Sequence, residues 1–186
     1  MANLANLDGL FAQIKREKGK LDIVFANAGI TPMTPLGNIT EEDYDSLFDA
    51  KVKGLLFTVQ KALPLMPDGG SIILNASIVA SKGFRDWSVY SATKAAVRSF
   101  ARTWTTDLKD RGIRVNALSP GYIDTAPWRS VTVVEMRANI MSSGTVPLGR
   151  FGTADEVAKA AAFLAADDSS YVTGTELFVD GGVAQV

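Results

Sequence analysis

Four short, largely apolar runs, separated by stretches of helical periodicity, constrain this chain most. They are Leu21 to Ala26, Ser71 to Asn75, Ile113 to Leu118 and Glu176 to Val179. Such runs, too short for helices and without strict polar alternation, read as buried strands. Between them, Leu7, Leu10, Phe11 and Ile14 recur at helical spacing over residues 7–18, and Gly19 stops that helix. Thr40-Glu41-Glu42-Asp43 reads as a capping box opening a long helix to about Met66. Residues 88–110 read as one helix, and Thr153-Ala154-Asp155-Glu156 caps another that runs to about Ala166. Strands that alternate with helices predict an α/β protein with a mostly parallel sheet covered on both faces. Residues 124–150 have weak periodicity and read as loop with short helices, and Ile30 to Asn38 reads as loop.

Composition narrows the chemistry. A length of 186 residues, 47% hydrophobic and 21% charged, describes one globular domain. A net charge of −1 gives no electrostatic basis for binding nucleic acid or an anionic membrane. No apolar run reaches the ~20 residues of a membrane span, and no secretion signal is visible. There are no cysteines, which suits a reducing, cytoplasmic setting. There are also no histidines. A Ser-His-Asp hydrolase and a His-ligated metal site are therefore excluded, no metal is expected, and acid–base work falls to Tyr, Lys, Asp or Glu.

Tyr90 and Lys94 are four residues apart within the predicted helix 88–110. They share one face, with Cβ atoms roughly 5–6 Å apart. An ammonium beside a phenol makes that phenol a usable proton donor, since two unit charges 4 Å apart interact by ~4 kcal/mol at an effective dielectric of 20. Taken alone the pair also fits a plain helix surface. Ser77 stands at the end of a predicted strand, with twelve residues between it and Tyr90, where its hydroxyl can complete a pocket that polarises a carbonyl. Ser81 competes for that role from the following loop.

The order Ser77, then Tyr90-Ser91-Ala92-Thr93-Lys94, resembles the short-chain dehydrogenase/reductase family. Asn27-Ala28-Gly29, Pro120-Gly121-Tyr122-Ile123-Asp124-Thr125 and the ending Phe178-Val179-Asp180-Gly181-Gly182 are similar to further motifs of that family, in its order. The resemblance implies a Rossmann-like, doubly wound parallel sheet and NAD(P)-dependent chemistry at an alcohol or carbonyl group of a small molecule. It implies Ser77, Tyr90 and Lys94 as the catalytic residues. It implies Asn27, Ala28, Gly29, Tyr90, Lys94, Pro120, Gly121, Ile123 and Thr125 around NAD or NADP, with Lys94 on the nicotinamide ribose. A homo-oligomer, dimer or tetramer, is the family's usual state. Substrate selectivity would then lie in Phe84 to Trp87 and Trp128 to Met141.

Two departures accompany the resemblance. The chain contains no Gly-x-Gly, and Met1 to Leu7 already reads like the entry to the family's third helix. The expected fold is thus an N-terminally truncated sheet, a single partial domain over 1–186, with the strand at 21–26 left as an edge. A catalytically silent remnant acting through self-association or a protein partner is the alternative reading. The second departure is Lys51, where the family usually has Asn. A lysine there either crowds Lys94 with like charge, slowing proton relay so that Lys51→Asn raises the rate, or points to water.

Overall fold

The computed structural model describes residues 3–29, 33–126 and 134–186. Four strands, β1 (Ile23–Ala26), β2 (Ser71–Asn75), β3 (Arg114–Pro120) and β4 (Glu176–Val179), form one sheet in the order β1-β2-β3-β4. All neighbours are parallel, with Val24, Ile72 and Val115 in register, then Ala26, Leu74, Ala117 and Glu176. Parallel neighbours need crossovers, and here these are helical: α1 (Leu4–Lys18) precedes β1. Between β1 and β2 lie α2 (Glu41–Phe48) and α3 (Gly54–Ala62). Between β2 and β3 lies α4 (Ser88–Asp107), followed after β3 by α5 (Val134–Ser142) and α6 (Ala154–Ala165).

Local sequence sets the helix ends. Asn3 accepts from Ala5 N, and both predicted capping boxes form: Thr40 with Asp43, and Thr153 with Glu156. The predicted single helix from Thr40 to Met66 is interrupted. Asp49–Lys53 is π-helical, and the end, Leu63–Leu65, is a 3-10 turn. A π turn inserts one residue into the helical ladder, and sequence periodicity does not report it. The predicted helix 88–110 likewise ends at Asp107, and a short turn Lys109–Arg111 follows.

The sheet is covered on both faces. On one, Leu7 and Phe11 of α1, Leu55 and Val59 of α3, and Val97 and Ala101 of α4 pack on Val24, Ile72, Leu74 and Val115. On the other, Ala161 and Leu164 of α6 pack on Ile73 and Leu118. That second cover stops short of β1, where Ile23 and Phe25 are 45% and 42% exposed. As expected, β1 is an edge strand of the described sheet.

Candidate active site

In an open parallel sheet the segments leaving the carboxyl ends of the strands converge on one rim. Here that rim gathers Asn27-Ala28-Gly29 after β1, Ala76-Ser77 after β2, Gly121 to Thr125 after β3 and Asp180 after β4. The sequence-predicted residues therefore meet at one edge, although they are spread over about a hundred positions.

Helix α4 buries Tyr90, Thr93, Lys94, Val97 and Ala101, the spacing of a single face. Tyr90 and Lys94 are 8% and 3% exposed, so they are not a surface pair. Trp87, the residue before the helix, sets its ring edge on Tyr90 at 5.2 Å between centroids. Asp86 ahead of it has φ of 68° and accepts a hydrogen bond from Thr34 N, tying the loop after β1 to the start of α4. The Lys94 ammonium donates to the carbonyl of Asn75 at 2.5 Å, fixing the amine at the end of β2. Its Nζ is 5.6 Å from the Tyr90 ring centroid.

Ser77 has extended backbone and caps the short turn Ile78–Ala80, whose Ile78 and Val79 share a core cluster with Tyr90. Its oxygen accepts a long contact from Val79 N, 3.4 Å, which leaves the hydroxyl proton available to donate. Ser81 is committed elsewhere: it donates to Glu176 and accepts from Arg98. The two serines thus differ in their surroundings: the Ser81 hydroxyl is held by Glu176 and Arg98, and Ser77 caps the turn after β2.

The motif after β3 has a structural explanation of its own. A side chain at Gly121 would lie 2.7 Å from Asp180 Cα, so glycine permits β3 and β4 to exit side by side. Ile123 is buried and bridges to Gly152, while Thr125 Oγ1 makes a long contact to the Ile123 carbonyl. Tyr122 packs on the Tyr90 cluster, and burial pushes its phenol above the ordinary range. A cleft of about 460 Å³ lies beyond, lined by Ile123, Leu148, Phe178 and Asp180 among others, and Ser77, Tyr90 and Lys94 do not line it. Phe84 stands edge-on to Tyr122 at 6.4 Å. Of the predicted selectivity segment Trp128 to Met141, residues 128–133 lie outside the described residues.

Lys51 is the residue whose place the sequence left open. It is 6% exposed, with Nζ 5.4 Å from the Tyr90 ring centroid, on the same ring as Lys94. A Cβ on Gly29 would fall 1.9 Å from that nitrogen, so Lys51 lies directly on the turn after β1. The signal was present: Lys51 is four residues from Leu47 and from Leu55, both buried, and so falls on the inner stripe of its helical stretch. Burial holds Lys51 down to about 8. Lys94 is held down to about 7 by burial and, secondarily, by the charge of Lys51.

The site offers donors and acceptors of its own to a nicotinamide nucleotide. Lys94 uses one of three ammonium donors on Asn75, Asn75 Oδ1 is buried with no hydrogen-bond partner among the described residues, and the Asn27-Ala28-Gly29 turn is exposed. These fit a ribose and an amide. No Gly-x-Gly turn is present to grip a pyrophosphate.

Comparison with known proteins agrees. Residues 1–184 match the family model described as enoyl-(acyl carrier protein) reductase. The chain is 47% identical to oxidoreductase asL5 of Sarocladium schorii, over all of this chain and 75% of that protein. It is 38% identical to the 3-oxoacyl-[acyl-carrier-protein] reductase FabG of Thermotoga maritima, over 92% of this chain and 69% of that one. A gluconate 5-dehydrogenase from Burkholderia cenocepacia, solved with NADP and tartrate, superposes with a TM-score of 0.92 at 31% identity, over 100% of this chain and 73% of that one. Buried Tyr90 and Lys94 one turn apart, a four-stranded parallel sheet and these matches have one reading: the chain belongs to the short-chain dehydrogenase/reductase family of NAD(P)-dependent oxidoreductases.

Proposed function

We propose that this chain oxidises an alcohol or reduces a carbonyl in a small molecule, with Ser77, Tyr90 and Lys94 performing the chemistry. The observation that carries this reading is the burial of Tyr90 and Lys94 on one face of α4, with Lys94 fixed by the Asn75 carbonyl. A nicotinamide held there would supply the hydride chemistry at the carbonyl carbon, in either direction. In reduction the Tyr90 O–H bond breaks and its proton goes to the carbonyl oxygen as charge develops there. Ser77 donates a hydrogen bond to the same oxygen, an interaction that strengthens toward the transition state. Lys94 sets its amine beside the phenol and keeps N–H donors for the ribose hydroxyls. Asn27, Ala28, Gly29, Pro120, Gly121, Ile123 and Thr125 would border the cofactor, either NAD or NADP.

The setting we infer is a cytoplasmic homo-oligomer. No helix among the described residues is long and apolar enough to cross a membrane. An apolar groove between α3 and α4, lined by Leu56, Val59, Leu63 and Trp104, is the surface we assign to a second subunit. No comparison favours the alternative of a silent remnant.

The test is titration of the chain with NADH and with NADPH, followed by nicotinamide fluorescence, and then turnover on a panel of ketones. Saturable binding and turnover that falls by about 10²–10⁴-fold in Tyr90→Phe, with an unchanged melting profile, are expected. Full turnover in that variant refutes the assignment of Tyr90. Absence of binding to both nucleotides refutes the oxidoreductase reading for this chain.

A further inference from the structure

The proposed chemistry makes no use of Lys51, yet the fold places its amine in the site. The residue is buried on the inner stripe of its helical stretch, and its Nζ lies on Gly29 and 5.4 Å from the Tyr90 ring centroid. Lys94 approaches the same ring at 5.6 Å. Two ammonium groups are thus gathered around one phenol.

The elements around them offer no opposing charge. From α4 come Tyr90 and Lys94 themselves; from the end of β2, the Asn75 carbonyl and its unpartnered side-chain oxygen; from the turn after β1, the Gly29 backbone. On the Lys51 element, Asp49 and Lys53 pair with each other at 3.1 Å and both are about half exposed. Among the described residues, no carboxylate forms an ion pair with Lys51 or Lys94. Charging both amines at once therefore costs desolvation twice and mutual repulsion besides, offset by the Asn75 carbonyl and the face of the Tyr90 ring but by no carboxylate among the described residues. Two like groups that share a site in this way titrate as a pair.

We propose that Lys51 is a positioning residue acting through Lys94: the two amines hold a single proton between them, and Lys51 sets when Lys94 is charged. The depression of both amines, Lys94 the further, points the same way. For the reaction proposed above, on which this consequence rests, the pair is a proton store beside Tyr90. A proton lost by the phenol can be replaced from either amine without waiting on bulk water.

The experiment is a carbon-13 NMR titration of the lysine Cε signals, from pH 5 to 11, in the 186-residue chain labelled with [13C]lysine. Lys51→Met and Lys94→Met assign the two signals and measure the coupling. Lys94 is expected to titrate about one unit higher in Lys51→Met, where the neighbouring charge is gone. It is expected to titrate lower in Lys51→Arg, where that charge is permanent. A role in packing alone would not give opposite shifts for these two substitutions. Lys51 is expected to move less in Lys94→Met than Lys94 moves in Lys51→Met, because the amine with the higher midpoint titrates while its neighbour is already neutral. A Lys94 midpoint unmoved by both Lys51 substitutions, or both amines titrating in the ordinary lysine range, overturns the proposal. The titration needs no turnover, so a chain that shows the coupling but reduces no ketone upholds proton sharing while counting against the proposed function.

Discussion

Lys94 and Arg98 stand one turn apart on α4, and their surroundings are opposite. Arg98 is balanced: its Nε lies 2.8 Å from Glu176 of β4, and its Nη1 donates to the Ala80 carbonyl and to Ser81 Oγ. Glu176 in turn accepts from Ser119 of β3 at 2.8 Å and from Ser81. Every charge in that group has its opposite, and together they tie β3, β4, α4 and the loop after β2. Lys94 has one backbone carbonyl and faces a second cation. The first arrangement holds the wall of the site and the second leaves reactive groups unbalanced within it. A balanced buried group resists change, whereas an unbalanced one can exchange protons, because its charged and neutral forms lie close in free energy.

Several substitutions would break or sharpen this contrast. The largest effect is expected from Ser77→Ala, on the reactive side, which should lower turnover about 10²–10³-fold with little change in stability. Turnover within a few-fold of the parent would remove Ser77 from the chemistry. Next, Arg98→Met strands the Glu176 carboxylate, which is 13% exposed. Urea unfolding should report a loss of about 2–3 kcal/mol, less than for a fully buried pair because Arg98 reaches solvent. An unchanged midpoint would show that the balanced group contributes no stability.

Lys51→Met should act in the opposite direction and stabilise the fold. Lys51 is held down to about 8 in the folded chain against 10.5 when unfolded. The unfolded state therefore binds more protons between those values, and stability rises with pH through that window. The cost of burying the amine is present in full below about 8 and gone above 10.5. The methionine variant should gain roughly 1–3 kcal/mol at pH 7 and nothing at the alkaline end, as read from urea midpoints at the two pH values. A gain independent of pH would attribute the effect to packing alone. The smallest effect is expected for Ser81→Ala, about 1 kcal/mol or less of stability with turnover retained. A turnover loss equal to that of Ser77→Ala would erase the distinction between the two serines.

The tests fall on residues whose legibility in the sequence differed. Tyr90 and Lys94 were readable because helix periodicity fixes which side chains share a face. Ser77 was readable from its place at a strand end. Lys51 was half readable: its type departs from the family pattern and its spacing from Leu47 and Leu55 puts it on the inner stripe, but the groups it meets there, the Gly29 backbone and the Tyr90 ring, come from distant segments. Glu176 and Arg98 carried no signal, being seventy-eight positions apart and joined only when β4 pairs with β3. Gly121 was read as a cofactor neighbour, and the structure adds its contact with Asp180.

The sequence by itself determined the order of strands and helices, the capped helix starts and the α4 face that holds Tyr90 and Lys94. All of these are local, set by spacings within a few turns. The tertiary structure alone decided that Lys51 meets Gly29 and the Tyr90 ring beside Lys94, and that Arg98 is neutralised by Glu176. Those outcomes depend on which distant segments meet when the sheet forms. The cost of a buried charge is set by the neighbours that meeting brings, and no spacing along the chain encodes it.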